Sequence, residues 1–469
     1  MSLADLLVET AGRLGSKRAL FWQERSWTFA EVLDAARRCA GGLAKLGIGP
    51  GDRVAVFLPN SPETIFVHFG VQLAGAARVP VNSAYTLREA AHPIAFTGAK
   101  LVVVDAARRP TAQEAAPNVP YVTPEELLRA APLERARAND EDVSLICFTS
   151  GTSGKPKGVP LSHANLEHNI RGLAEIWEWT ERDTLLLSLP LMHVHGLCNG
   201  LNGWALTGCG LVLQEKFSPD AALDGLARSD ATAFFGVPAM YHRMLEASKR
   251  PLPVMRLWAC GSAPLDRGLE DRWETAYGRP IINRYGMTET AMITANPVSA
   301  PRKGSVGKPL PGMEVRILET GEIVVRGPSV FAGYWGGEVD AATRHEGGFF
   351  RTGDVGRIDD GYVTITGRAK DIIISGGTNI APVEIEEVLL QHPNVAETVV
   401  VPIPDPALGE VIRAVVVPRG SMTASVVTEW CETHLAKYKR PRDVRIVPGP
   451  LPRNAMQKLD RKKAKELYG

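Results

Sequence analysis

The sequence predicts an α/β protein: a large N-terminal domain of two packed α/β sheet subdomains plus a small β subdomain, then a small mobile α+β domain at the C-terminus. Three observations carry this reading. Short apolar runs recur through the first 260 residues with amphipathic segments between them. Around 303–367 that alternation gives way to short strands separated by glycine turns. In the last hundred residues strand and helix patterns resume as a separate set.

In chain order, the apolar runs "RVAVFL" (53–58), "LVVVD" (101–105), "VSLICF" (143–148), "TLLLSL" (184–189), "TAFFGV" (232–237) and "MRLWAC" (255–260) read as buried strands. Runs this short, apolar throughout, suit strands covered on both faces, as in parallel sheets. Segments such as "TFAEVLDAARRCAGGLAKLG" (28–47) carry helical periodicity and fill the crossovers. Residues 106–141, rich in alanine, proline and charge, read as a surface excursion. "GMEVRIL", "GEIVVRG" and "YVTITG" are the strands of the small β subdomain. Beyond "GRAKD" (367–371), "EIEEVLLQHP" and "SVVTEWCETHLAKY" read as helices, and "AETVVVPIPD" and "IRAVVVP" as strands. The expected division is 1–369 and 370–469.

Bulk composition narrows the function classes. A chain of 469 residues with 45% hydrophobic and 22% charged residues has ample material for a core. A net charge of +1 argues against a nucleic-acid or anionic-membrane surface. The six cysteines are scattered without a C-x-x-C pair, which disfavours a zinc site or a disulfide framework and fits a reducing cytoplasm. The N-terminus carries Asp5 and Glu9 and has no basic leader, so no targeting segment is expected. Residues 184–214 contain no Asp, Glu, Lys or Arg, but Pro190, His193, His195 and several glycines break the run. They read as strand, loop, small-residue helix and strand rather than a membrane span.

The most informative stretch is "CFTSGTSGKPKGVPLSHANL" (147–166). Thr149, Ser150, Thr152 and Ser153 supply hydroxyls, Gly151 and Gly154 let the backbone approach a ligand, and Lys155 and Lys157 bring positive charge. A hydroxyl- and glycine-rich loop after a strand can cradle phosphate; it is also the composition of an ordinary solvated turn, and its spacing is not that of the common P-loop. Five other segments stand out: "LPLMHVHG" (189–196), "ACGSAPL" (259–265), "NRYGMTET" (283–290), "RTGDVG" (351–356) and "PRNAMQKLDRKKAKEL" (452–467). Singly, each has a structural reading as a core histidine, a hairpin turn or a solvated basic helix.

In this order the segments resemble the acyl-adenylate-forming superfamily of acyl-CoA synthetases, peptide-synthetase adenylation domains and luciferases, and the resemblance covers nearly the whole chain. "FTSGTSGKPKGV" is similar to that family's signature loop, "YGMTET" to its adenine motif, "RTGD" to its ribose motif, "GRAKD" to its hinge and "PRNAMQK" to its catalytic-lysine motif. The resemblance implies ATP, Mg²⁺ and coenzyme A as partners of a small carboxylic acid, in a monomer or homodimer with no membrane insertion. It implies that Thr149, Ser150, Gly151, Thr152, Ser153, Gly154 and Lys157 hold the β- and γ-phosphates. Gly261, Ser262, Ala263, Arg284, Tyr285, Gly286, Met287 and Thr288 would line the nucleotide, with Tyr285 stacked on adenine. Asp354 would hold both ribose hydroxyls, Arg368 would lie by the ribose and phosphate, and Glu289 with Thr152 would hold the metal. Lys458 would stabilise the adenylation transition state, His193 would orient the carboxylate, Lys370 would be the hinge, and Ser375, Gly376 and Gly377 would meet coenzyme A after a domain rotation. Two residues depart from the family pattern: Gln457 stands where glycine usually precedes the lysine, and Ser153 where threonine is commoner.

Arg284 bears on the acid. A buried guanidinium beside an alkyl chain is costly, and a second substrate carboxylate would offset that cost. "RYGMTET", "LMHVHGL" and "LPRNAM" resemble malonyl-CoA and methylmalonyl-CoA synthetases, with Arg284, His193 and Ser262 as expected carboxylate contacts and Met287 and Met292 narrowing the pocket. The alternatives are that Arg284 pairs with a protein carboxylate or faces solvent, in a short- or medium-chain fatty acyl-CoA synthetase. A nucleotide-binding pseudoenzyme is a more distant reading, disfavoured by the intact Lys458.

Overall fold

The computed structural model describes residues 3–134, 138–149, 156–247, 252, 255–337, 343–375, 378–453 and 459–469. Among these residues the strands form four sheets. In the first, Arg53–Phe57 lies between Ala77–Pro80 and Leu101–Val104, with Tyr121–Val122 beyond the latter and Val143–Thr149 then Lys157–Ser162 beyond the former. Its pairs are parallel except the last, a hairpin in which Thr149 faces Lys157. Leu101–Val104 and Ala77–Pro80 are buried at every position, as strands covered on both faces should be, and the second carries one charged residue, Arg78, into that burial.

The larger sheet has a parallel centre of Gly210–Leu213, Thr184–Leu187, Ala233–Gly236, Leu257–Cys260 and Ile282–Met287. Arg18–Trp22 adds to Gly210–Leu213 in parallel and carries the antiparallel Arg25–Thr28 at that edge. Ala291–Ala295 and Lys308–Pro309 continue the other side antiparallel. Lys308–Pro309 therefore closes this sheet and is not part of the small β sheet, which occupies 314–368 rather than starting at 303.

The crossover helices start where local chemistry dictates. Thr28 and Glu31 form a reciprocal capping box on Phe29–Lys45, and Ser61 with Pro62 opens Pro62–Leu73. One contiguous core joins the two large sheets, with Phe69, Trp177 and Trp204 fully buried in it. Residues 106–141 are less superficial than their composition suggests. Tyr121–Val122 joins the first sheet, and Ala112, Val122 and Leu127 are buried, because their apolar side chains meet strand and helix faces that the charged neighbours leave uncovered.

The small β sheet pairs Phe349–Asp359 with Glu322–Arg326, Arg344–His345 and Tyr362–Arg368. The C-terminal part has its own sheet, centred on the long antiparallel pair Val395–Asp405 and Gly409–Pro418, and its own cores around Ile385, Leu389 and Val415. The fold is a large α/β N-terminal region with a small β unit, followed by a small α+β C-terminal domain. No helix among the described residues is long and apolar enough to cross a membrane.

Candidate active site

The segment 184–208 builds one wall of the site. After Thr184–Leu187 the chain turns through Pro190 and winds through His195–Asn202 as a π-helix, a rare geometry that tends to occur at functional sites. Gly196 permits it, since a Cβ there would lie 2.5 Å from the Pro190 carbonyl oxygen. The turn is clamped from the opposite sheet. Asn60 Oδ1 accepts from Leu191 N–H at 2.8 Å, and Arg78 Nη2 donates to the Leu191 carbonyl at 2.8 Å. Asn60 also donates to Leu189 O at 2.9 Å. Both backbone polar groups of Leu191 are thus fixed, two residues before His193. Arg78 is fully buried, and burial draws its guanidinium down to about 10.

His193 donates its backbone N–H to Pro190 O and is half-buried. The histidine beside the expected carboxylate residues is His195: its Nδ1 lies 3.5 Å from Ser262 Oγ and its ring stacks on Phe235. The sequence offered a signal for it, the alternation "HVHG", but spacing alone did not separate the two rings.

Ser262 sits in the left-handed region at φ 69°, a strained backbone for a serine. Its hydroxyl accepts from Arg284 Nη2 at 3.2 Å. Gly261 makes this approach possible, because a Cβ there would stand 2.7 Å from Arg284 Nε. Arg284 is 2% exposed, so it does not face solvent. Among the described residues no carboxylate pairs with it, its Nε has no hydrogen-bond partner, and burial lowers it to about 10 despite the nearby Cys260 and Tyr241. Ala263, Gly286, Met287 and Thr288 are half-exposed around this group, whereas Met292 is buried in the main core.

Tyr285 and Asp354 come together from two sheets. The Tyr285 hydroxyl donates to Asp354 Oδ2 at 2.6 Å, and Arg368 Nε lies 2.9 Å from Oδ1. The register of the small sheet places Arg368 directly opposite Asp354. Burial holds the Asp354 carboxyl above its usual range, opposed by Arg368 and Tyr285, and burial with the adjacent carboxylate pushes the Tyr285 phenol well up. Lys370 follows on an exposed turn.

Glu289 is buried, with its carboxyl raised by desolvation, and Tyr334 donates to its Oε1 at 3.1 Å. Among the described residues no group of three or more His, Cys, Asp or Glu forms a metal cage. One buried carboxylate fits Mg²⁺ in the form in which nucleotide phosphates and water provide most ligands. Thr149 and Lys157 flank the glycine-rich loop in register; Ser150, Gly151, Thr152, Ser153, Gly154 and Lys155 lie outside the described residues, as do Gly376, Gly377 and Lys458. Ser375 ends the strand Ile373–Ser375.

A cavity of about 230 Å³ opens at the carboxyl ends of strands from both large sheets, lined by Asn60, Asn82, Ser188, Leu191, Met192 and Met240 among others. Ligands of open α/β sheets bind in such crevices.

Two packed α/β sheets, a separate small α+β C-terminal domain and the Tyr285–Asp354–Arg368 cluster define the class, and the chain belongs to the AMP-binding enzyme family. Residues 7–335 match the model described as AMP-binding enzyme, and 384–458 match the AMP-binding enzyme C-terminal domain. It is an AMP-forming acid–thiol ligase. Among its relatives, the oxalate–CoA ligase of Arabidopsis thaliana is 33% identical, covering 98% of this chain and 97% of that protein. The malonate–CoA ligase of the same plant is 37% identical over 70% of this chain and 61% of its own length. The crystal structure of ATP-bound MatB from Rhodopseudomonas palustris superposes with a TM-score of 0.91 at 35% identity, covering 100% of this chain and 99% of that one.

Proposed function

We propose that this ligase activates a short dicarboxylic acid, malonate or methylmalonate, as its acyl-adenylate and passes the acyl group to coenzyme A. The observation that carries the reading is Arg284: a buried guanidinium with no carboxylate partner among the described residues, aimed at the Ser262 hydroxyl. Burying a cation unpaired is expensive, and a distal carboxylate would take both Arg284 and Ser262 as donors. Relatives named for oxalate and malonate, both diacids, lend support.

In the first half-reaction the proximal carboxylate attacks the α-phosphorus of ATP, and the bond to pyrophosphate breaks. Lys157, with the loop hydroxyls of Thr149, Ser150, Thr152 and Ser153 and the backbone of Gly151 and Gly154, holds the departing phosphates. Asp354 accepts from the ribose hydroxyls, Tyr285 packs on adenine, and Arg368 stands beside the ribose. Thr152 and Glu289 would hold Mg²⁺, which supplies neutralisation of phosphate charge. Lys458 donates to the substrate carboxylate and the α-phosphate, and the His193–His195 turn orients the acid, His195 being the ring beside Ser262. Rotation of residues 370–469 about Lys370 then withdraws Lys458 and brings Ser375, Gly376 and Gly377 toward the thiol. The thiol attacks the acyl carbon and AMP leaves. The crevice containing Asn82 and Met192 is our candidate for the pantetheine arm.

The test is coenzyme A- and ATP-dependent AMP release with malonate, methylmalonate, succinate, acetate, butyrate and octanoate. The reading expects malonate or methylmalonate to lead by at least tenfold in kcat/KM. Preference for butyrate or octanoate would overturn it and make Arg284 a structural residue.

A further inference from the structure

The stretch "FAGYW" (331–335) touches both charged groups assigned above to phosphate and metal. Phe331 N–H donates to the Glu289 carbonyl at 2.9 Å, and Trp335 N–H donates to the Gly158 carbonyl at 2.8 Å. The segment is therefore pinned at one end to the Glu289 turn and at the other to the strand that begins at Lys157. Between the pins stands Tyr334. Its ring packs edge-on against Phe331 at 4.9 Å. The Lys157 ammonium lies over its face, 4.6 Å from the centroid, while its hydroxyl donates to Glu289 Oε1 at 3.1 Å.

We propose that Tyr334 is a positioning residue that holds Lys157 and Glu289 apart and in register for a magnesium nucleotide. The inference rests on the assignment of those two residues to phosphate and metal. Its logic is the neutrality of the spacer. A carboxylate in the spacer's place would neutralise the ammonium, whereas a ring face attracts it without cancelling its charge. An arginine or lysine beside Glu289 would compete with a divalent cation, whereas a phenol orients the carboxylate and leaves its charge in place. The Glu289 carboxyl, raised by desolvation, is pulled back down by Arg368 and Lys157, so the ammonium lies within electrostatic reach of it. With the aromatic spacer removed, the flexible lysine stem can bring its ammonium to the carboxylate, and an ion pair would cancel the charge of each.

The two functions of the side chain separate by substitution. Tyr334→Phe keeps the ring and removes the hydroxyl; Tyr334→Leu removes both. ATP binding to the full chain is titrated calorimetrically in EDTA and again in Mg²⁺, and the Mg²⁺ dependence of acid-dependent pyrophosphate exchange is measured. Y334F is expected to bind ATP in EDTA like the parent but to need roughly threefold or more Mg²⁺ for half-maximal exchange. Y334L is expected to lose roughly tenfold in ATP affinity even in EDTA, with the Mg²⁺ requirement raised further. Parent-like ATP affinity and Mg²⁺ requirement in both variants would overturn the proposal, as would a fall in kcat alone. Should Y334L fail to fold, the Y334F Mg²⁺ titration decides by the same criterion. Lys157→Met and Glu289→Gln separate the two levels: if neither alters ATP or Mg²⁺ binding, the underlying assignment fails. If they do and the Tyr334 variants do not, only the positioning role fails.

Discussion

The Tyr285 hydroxyl donates a 2.6 Å hydrogen bond to Asp354 across 69 residues of sequence, joining the last parallel strand of the larger sheet to the small β sheet. Both groups are buried, and Arg368 completes the cluster on the other carboxylate oxygen. An aromatic ring and a carboxylate expected to serve the two ends of an adenosine are thus already oriented by each other.

If Asp354 receives the ribose, Asp354→Ala should weaken AMP binding by ~1.5–3 kcal/mol, roughly ten- to a hundredfold, since hydrogen bonds to a charged acceptor are lost. Tyr285→Phe keeps the ring and should cost about tenfold or less. Calorimetric titration with AMP measures both; equal losses would argue that the phenol, not the carboxylate, is the main contact.

Arg284 makes an opposed pair of predictions. Arg284→Met should abolish use of a dicarboxylate, yet raise the melting temperature of the unliganded protein, because it removes a buried cation at a gain of ~1–3 kcal/mol. Thermal unfolding with and without malonate tests this. A lower melting temperature would mean that the guanidinium is paired within the protein.

Glu270 sets an alkaline-side dependence. Its carboxyl, buried on the helix Arg267–Tyr277 and accepting from Gly304 N–H at 3.1 Å, is raised by desolvation to about 7 against the opposing pull of that bond, Arg267 and Lys303. A raised folded value means stability fully present below the unfolded range near 4.5 and lost as pH rises through about 7. Glu270→Gln should match the parent below pH ~4.5, remain close to it to pH ~5, and exceed it by ~1–3 kcal/mol at pH 8 in denaturant titrations.

Lys458→Ala should depress adenylation by a hundredfold or more, roughly 3 kcal/mol, while sparing thioester formation from preformed acyl-adenylate. Pyrophosphate exchange and single-turnover thioester assays separate the two. Equal losses would exclude withdrawal of the lysine between half-reactions.

The strands were legible because buried parallel strands are continuous apolar runs, and every run read as a strand contains one in the structure. Residues 106–141 were harder. Their few apolar side chains are diluted by charge, so periodicity is weak even where single side chains such as Ala112, Val122 and Leu127 are buried. The motif residues could be named from order along the chain, but not their partners. "HVHG" offers two histidines, and only the π-helical turn brings His195 toward Ser262. Asn60, Arg78 and Tyr334 carry no local signal, because each acts on a segment more than 40 residues away.

By itself the sequence determined the α/β class and the separate C-terminal module and put forward the candidate loops, because burial patterns and hydroxyl, glycine and lysine spacing are local properties of a chain. Only the tertiary structure decided that Arg284 is buried beside Ser262 with no carboxylate partner among the described residues, that the Tyr285 hydroxyl donates to Asp354, and that Tyr334 stands between Lys157 and Glu289. Those relationships depend on which sheet edges meet and on the desolvation that results, and desolvation belongs to the packed molecule rather than to any stretch of residues.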